Sequence, residues 1–205
     1  MIAIVDYGMG NLGSIKNMLW KIGHTSVITG DPGDLAAAEK LILPGVGAFD
    51  RAMENLESRG LVDGLHHEVL EKRKPILGIC LGMQLFGQRS EEGVRSGLGW
   101  IEAESVRFAF DPDADLRLPH MGWNRIQPQA QQHPLVQDLP EDPRFYFVHS
   151  FHVRCARPEN VLATASYGFD FHAAIHRDNI WGAQFHPEKS HKYGMRWLRN
   201  FAEHS

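Results

Sequence analysis

"GICLGMQ", residues 78–84, completes the apolar run "KPILGIC" and opens the segment "LGMQLFG". A short apolar run of this length reads as a buried strand, and the segment after it as the start of a helix. Gly78 and Gly82 stand two positions to either side of Cys80. This is the G-x-nucleophile-x-G form of a sharp strand-to-helix turn, which pushes the nucleophile outward on a strained backbone. Side chains at the flanking positions would collide, so glycine stands there. A helix N-terminus favours thiolate over thiol. The backbone N–H of Leu81 would face an oxyanion forming beside the sulfur. A buried core cysteine in an ordinary βα turn is the competing reading, against which the paired glycines weigh.

Working outward, "MIAIVDYG" reads as a strand ending in a glycine turn. Ile15, Met18, Leu19 and Ile22 form a helical stripe stopped at Gly23. "TSVIT" and "EKLILPG" read as two more strands, the latter ending at Pro44, with helices expected over 49–56 and 62–69. Strand and helix thus alternate through the first ninety or so residues, the pattern of βαβ units and a parallel sheet covered on both faces. Ligands of such sheets bind outside the carboxyl ends of the strands. "DYGMGNLGS", "PGVGAFD" and "GICLGMQ" each follow a strand, so all three are expected on that edge. Beyond residue 100, "WIEAESVRFAF", "RFYFVHSFHVRC", "NVLATASYG", "HAAIHRDN" and "IWGAQFH" read as strands, several of them antiparallel. "KSHKYGMRWLRNF" reads as a closing helix with Ser190 as N-cap and Met195, Leu198 and Phe201 as its buried stripe.

A thiolate nucleophile needs a partner that moves protons. Of the twelve histidines, His186 in "GAQFHPEKS" has the best context. Glu188 lies two residues on, which puts both side chains on one side of an extended segment, and Pro187 fixes φ between them. Glu188 would then hold one imidazole nitrogen and leave the other for Cys80. A surface turn with unrelated polar residues is the alternative, since H-x-E alone is a weak signal. In "PGVGAFD", Gly45 and Gly47 flank Val46 and would let backbone amides approach a ligand, although an ordinary turn reads the same way.

Composition bounds the rest. The chain has 205 residues, 43% hydrophobic and 22% charged, which suits one large globular domain over 1–205. A net charge of −4 without a basic block argues against nucleic acid as a partner. Two cysteines, Cys80 and Cys155, make no disulfide framework, and Cys155 reads as core. No signal peptide and no membrane span is evident, so a cytoplasmic location is expected. His66, His67, His172, His176, His186 and His191 follow no ligand spacing, and neither metal nor cofactor is expected.

Taken together, "GICLGMQ", "PGVGAF" and "QFHPEKS" resemble the signature segments of class I (triad) glutamine amidotransferases. "DYGMGNLGS", "PHMGWN" and "YFVHSF" narrow the resemblance to the glutaminase subunits of imidazole glycerol phosphate synthases, over essentially the whole chain. The resemblance implies a flavodoxin-like α/β fold with a central, mostly parallel sheet, helices on both faces and antiparallel strands in the C-terminal half. It implies Cys80 as nucleophile, His186 as acid and base, Glu188 orienting it, and oxyanion donors from Leu81 and the Val46–Gly47 stretch. In the family the loop matching "PGVG" reorients when the partner binds its substrate. Gly45, Gly47, Gln84, His149, Ser150 and Phe151 match positions of the glutamine pocket. Asn11, Trp123, Asn124, Tyr146 and Lys189 match segments near the partner interface or ammonia exit.

Ammonia released to bulk water would be lost to protonation, and the predicted site occupies the whole chain. The acceptor site is therefore expected on another polypeptide. The resemblance names it as a (βα)8-barrel cyclase subunit in a heterodimer, making imidazole glycerol phosphate and an aminoimidazole carboxamide ribotide for histidine biosynthesis. A paralogue serving amidination of surface-polysaccharide sugars, a free-standing cysteine hydrolase and a non-catalytic module of the same fold are the alternatives.

Overall fold

The computed structural model describes residues 1–111 and 115–204. In the first part, strands and helices alternate as β1 (Ile2–Val5), α1 (Leu12–Lys21), β2 (Ser26–Thr29), α2 (Pro32–Ala37), β3 (Lys40–Gly45), α3 (Phe49–Ser58), α4 (Leu61–His66), β4 (Ile76–Cys80) and α5 (Leu81–Gln84). Then come β5 (Arg89–Ser90), β6 (Ala103–Arg107), β7 (His120–Arg125), β8 (Gln127–Pro128), β9 (Arg144–His149), β10 (Phe151–Cys155), β11 (Val161–Tyr167), β12 (Phe169–Arg177) and β13 (Ile180–Ala183), closed by α6 (His191–Glu203).

The main sheet runs β2-β1-β3-β4-β13-β12-β10-β6-β5, with β11 joined to β12 and β8 to β11. It is parallel from β2 through β13 and antiparallel from β13 through β6. This is the expected class: a doubly covered α/β sheet with antiparallel strands in the later half. Strand alternation sorts β1 between two cores. Ile2 and Ile4 pack with Ile15 and Leu19 of α1 and with Trp197 and Leu198 of α6. Ala3 and Val5 pack with Phe49 and Leu56 of α3 and with Leu65 of α4.

The structure departs from the sequence reading in local detail. "RFYFVHSFHVRC" divides between two sheets: β10 enters the main sheet, whereas β9 pairs with β7 as a separate antiparallel ribbon. Strand β7, which overlaps "PHMGWN" and ends at Arg125, carries alternating polarity too short to stand out. Helix α2 starts at "DPGD", a recognisable start signal: Asp31 Oδ1 accepts from the N–H of Gly33 (2.8 Å) and Asp34 (3.1 Å), with Pro32 at the first turn. The helix expected over 62–69 changes at His67 into a five-residue π-turn, closed by Lys72 N–H on the His67 carbonyl. That wider turn brings Glu68 to Lys74 (2.6 Å) in a buried ion pair. The stripe of α6 centres on Gly194, Trp197, Leu198 and Phe201, with Met195 only half-buried.

Candidate active site

Strands β3, β4 and β13 are adjacent and parallel, with Gly45 beside Cys80 and Ala183 beside Ile79. Their carboxyl ends deliver "PGVG", Cys80 and the segment leading to His186 to one sheet edge. Cys80 has φ 54° and ψ −111°, a left-handed conformation that costs a non-glycine residue about 1–3 kcal/mol. The flanking glycines are required by space. A Cβ on Gly78 would lie 2.7 Å from Met83 N and 2.6 Å from Phe86 Cε2, and one on Gly82 would lie 1.8 Å from the Leu43 carbonyl oxygen. The strand thus packs on the helix that follows it, and that helix on β3. Helix α5 stops after one turn, Leu81–Gln84, shorter than the sequence reading of "LGMQLFG", so its dipole contributes less than a full helix would.

His186 approaches on extended backbone (φ −103°, ψ 95°), but Pro187–Lys189 then form a 3₁₀ turn. The expected extended H-P-E segment is therefore replaced by a turn that folds Glu188 back, placing Oε1 2.8 Å from His186 Nδ1. Three anchors hold this turn. His186 N–H donates to the Tyr146 carbonyl (2.9 Å). Ser190 Oγ donates to the His186 carbonyl (2.6 Å) and accepts from Tyr146 N–H (3.0 Å). Ser190 does occupy the N-cap position of α6, yet its hydroxyl is spent on this stitch and caps nothing. Helix α6 closes against the turn so tightly that a Cβ on Gly194 would lie 1.8 Å from the Pro187 carbonyl oxygen.

Glu188 accepts the proton of Nδ1, and Nε2 is buried without a hydrogen-bond partner. Burial would depress the imidazolium, but attraction by the nearby Cys80 sulfur and the hydrogen-bonded Glu188 carboxylate outweigh it and raise His186 to about 10. The sulfur and the imidazole, more than a hundred positions apart in sequence, line one cavity of about 300 Å³.

Val46, Gly47, Leu81, Gln84, His149, Ser150 and Phe151 line that cavity as well, so nearly all the residues read as glutamine-pocket positions converge on it. Gly45 lies just beneath, where a Cβ would come 2.7 Å from Gly82 N. The "DYGMG" turn clamps the "PGVG" loop from the side. Tyr7 Oη donates to the Pro44 carbonyl (2.7 Å), Gly10 lies against the Pro44 ring, and Met9 against Gly47, whose φ is +107°. Burial, and then the neighbouring Cys80, push the Tyr7 hydroxyl well above its ordinary pKa. Gln184, fully buried, points Nε2 at Cys80 Sγ (3.6 Å). Gln184, Tyr7 and Glu92, which also lines the cavity, were not singled out in the sequence. Gln184 carried a readable signal, lying two residues before His186 in an extended run.

The segments read as partner-facing are spread around the β7–β9 ribbon and the His186 turn. Trp123 is 48% exposed beside Tyr146 (6.4 Å between centroids) and stacked on His191 (5.6 Å). Lys189 Nζ lies 5.8 Å from the Tyr146 ring centre. Met121 and Val46 are exposed too. Asn124 is on the opposite face of β7, donating to the Ser166 carbonyl (2.9 Å), and Asn11 is at the N-cap of α1 without capping it. Among the described residues, no helix is long and apolar enough to cross a membrane.

Known proteins place this arrangement in a family. The glutamine amidotransferase class-I family matches residues 3–205. The chain is 50% identical over 203 residues to imidazole glycerol phosphate synthase subunit HisH 2 of Pseudomonas aeruginosa, covering 99% of each chain. It is 51% identical over 201 residues to subunit HisH 2 of Methanococcus maripaludis, covering 98% of each. Among solved structures, one titled as a glutamine amidotransferase superposes with a TM-score of 0.75 at 19% identity, covering 99% of this chain and 98% of that one. A putative GMP synthase subunit from Thermoplasma acidophilum gives 0.73 at 20%, covering 98% and 92%; at such identities the likeness speaks for the fold. With a strained Cys80, a Glu188-held His186 and full-length relatives at about half identity, the chain belongs to the class-I glutamine amidotransferase family, among the HisH subunits of imidazole glycerol phosphate synthase.

Proposed function

We propose that Cys80, His186 and Glu188 carry the glutamine hydrolysis of this HisH-type glutaminase subunit, which serves histidine biosynthesis. The observation that carries the residue assignment is the cavity that Cys80 and His186 share: a nucleophile on a strained turn, and an imidazole whose far nitrogen is held by the Glu188 carboxylate behind it and whose near nitrogen is unengaged. Cys80 attacks the side-chain amide carbon of glutamine. His186, charged while the sulfur is an anion, gives its proton to the departing ammonia. The γ-glutamyl thioester is then hydrolysed by a water that His186 deprotonates. Leu81 N–H, with a second donor from the Val46–Gly47 stretch, stabilises the oxyanion in both halves. Gln84, His149, Ser150 and Phe151 bind the glutamine.

The relatives are named as subunits, which supports assembly with a second chain. For the partner we propose a (βα)8-barrel cyclase in the cytosol, docked over Trp123, Tyr146 and Lys189, so that ammonia passes between sites without meeting bulk water. The family matches do not favour the sugar-amidination or free-hydrolase readings. In the complex with the cyclase, Cys80→Ala is expected to abolish glutamine-dependent product formation while ammonia-dependent formation continues. Retained glutamine-dependent turnover would sink the assignment of the nucleophile, and loss of both would sink the separation of sites.

A further inference from the structure

Seven polar groups form one unbroken line through the cavity wall, and a single backbone carbonyl sets the direction of every bond in it. The Phe151 carbonyl can only accept. His149 Nδ1, 2.8 Å away, therefore carries a proton. Burial holds His149 neutral, down to about 3, so its Nε2 is bare and accepts from His120 Nδ1 at 3.0 Å. His120 is neutral for the same reason, held down to about 4, and its Nε2 accepts from Asn124 Nδ2 at 3.2 Å. In the other direction, the same carbonyl requires the nitrogen of Gln84, which donates to it at 3.2 Å. The second hydrogen of that nitrogen goes to Gln184 Oε1 at 3.1 Å. The Gln184 amide is thereby committed: its oxygen is taken, and its nitrogen faces Cys80 Sγ at 3.6 Å.

We propose that Gln184 is a further catalytic residue, whose N–H, locked as a donor by Gln84 and the Phe151 carbonyl, stabilises the Cys80 sulfur anion. The inference rests on the reading of Cys80 as the nucleophile. An ionised acceptor gains more from a hydrogen bond than a neutral one does, so a donor fixed in place favours the anion over the thiol. An amide free to turn would present its oxygen half of the time and repel that anion. The His120–His149 pair acts at one remove, by holding the carbonyl that forbids the turn. The other titratable groups around the sulfur are His186, His149 and Glu92 across the cavity and Tyr7 beneath it.

The test uses the chain with iodoacetamide as probe, reading carbamidomethylation of Cys80 by mass spectrometry. Gln184→Leu is expected to slow labelling about tenfold at pH 7, as for loss of a hydrogen bond to a charged group. The gap should narrow to less than about twofold at pH 10, above the ordinary range of a thiol. Gln184→Glu, which brings a carboxylate to the sulfur, is expected to be slower still. Gln84→Leu leaves the sulfur untouched but frees the Gln184 amide; it should give about a threefold slowing, and it decides the matter if the Gln184 variants do not fold. Labelling at pH 7 within about twofold of wild type in every folded variant overturns the proposal. So does an imidazole nitrogen-15 spectrum showing the His149 proton on Nε2. Labelling requires no glutamine. A wild-type complex that fails to hydrolyse glutamine, with Gln184-dependent labelling intact, would sink the functional reading and with it the catalytic role of Gln184, while the stabilised sulfur anion would stand.

Discussion

Two histidines face the same cavity and are buried alike, His186 at 1% exposure and His149 at 6%, yet their proton affinities shift in opposite directions. His149 follows the rule for a buried base. Desolvation disfavours its cation, and its neighbours are a carbonyl, the imidazoles of His120, His152 and His186 and aromatic rings, none of which repays the cost. His186 suffers the same desolvation but meets a sulfur on one side and a carboxylate on the other, and is raised to about 10. Burial sets the size of the stake and neighbouring charge decides its sign. The two rings are consequently suited to different work: one can hold and give up a proton beside the sulfur, while the other stays a fixed donor to the Phe151 carbonyl.

The largest expected effect comes from removing what distinguishes His186. Glu188→Gln keeps the shape but takes the carboxylate away from Nδ1, and should lower kcat for glutamine about 10²–10⁴-fold. Ammonia-dependent turnover of the complex should be unchanged; a loss below tenfold in steady-state glutamine assays would mean that Glu188 does not set the imidazole.

pH separates the two rings next. His120, His149 and His152 have folded values near 4, 3 and 4, below the ordinary 6.5. On unfolding in acid they take up protons, so stability is complete above about 6.5 and falls as pH drops toward 4. Three protons correspond to at most roughly 4 kcal/mol per pH unit at the steepest. His186 runs the other way: its contribution is complete below 6.5 and fades as pH rises toward 10. Urea midpoints measured across pH should therefore fall on both sides. His149→Phe should flatten the acid limb and Cys80→Ala the alkaline limb; identical limbs in both variants would refute the assignment. The smallest effect belongs to the loop clamp. Tyr7→Phe, which leaves the Pro44 carbonyl without its donor, should cost about 1–2 kcal/mol in denaturant unfolding.

Much of this contrast is legible in the order of residues alone. Gly78 and Gly82 announce a crowded turn around Cys80, because steric exclusion leaves a local mark at fixed spacing. His186 and Glu188 are legible as a pair, though the reason differs: Pro187 starts a turn where an extended segment was expected. The Phe151–Gln84–Gln184 line is not legible, since it joins groups 67 and 100 positions apart and runs through a main-chain carbonyl, which has no signature in side-chain identity. The division of "RFYFVHSFHVRC" between two sheets escapes for a related reason. Alternation shows that a run is a strand but not which neighbour it chooses.

The contact between Gly194 and the Pro187 carbonyl has a consequence for the life of the chain. The turn that carries the imidazole is closed from behind by helix α6, whereas the bend at Cys80 packs on β3 and α5. A polypeptide still emerging from the ribosome, or one clipped before residue 190, would carry its thiol without a proton carrier in place.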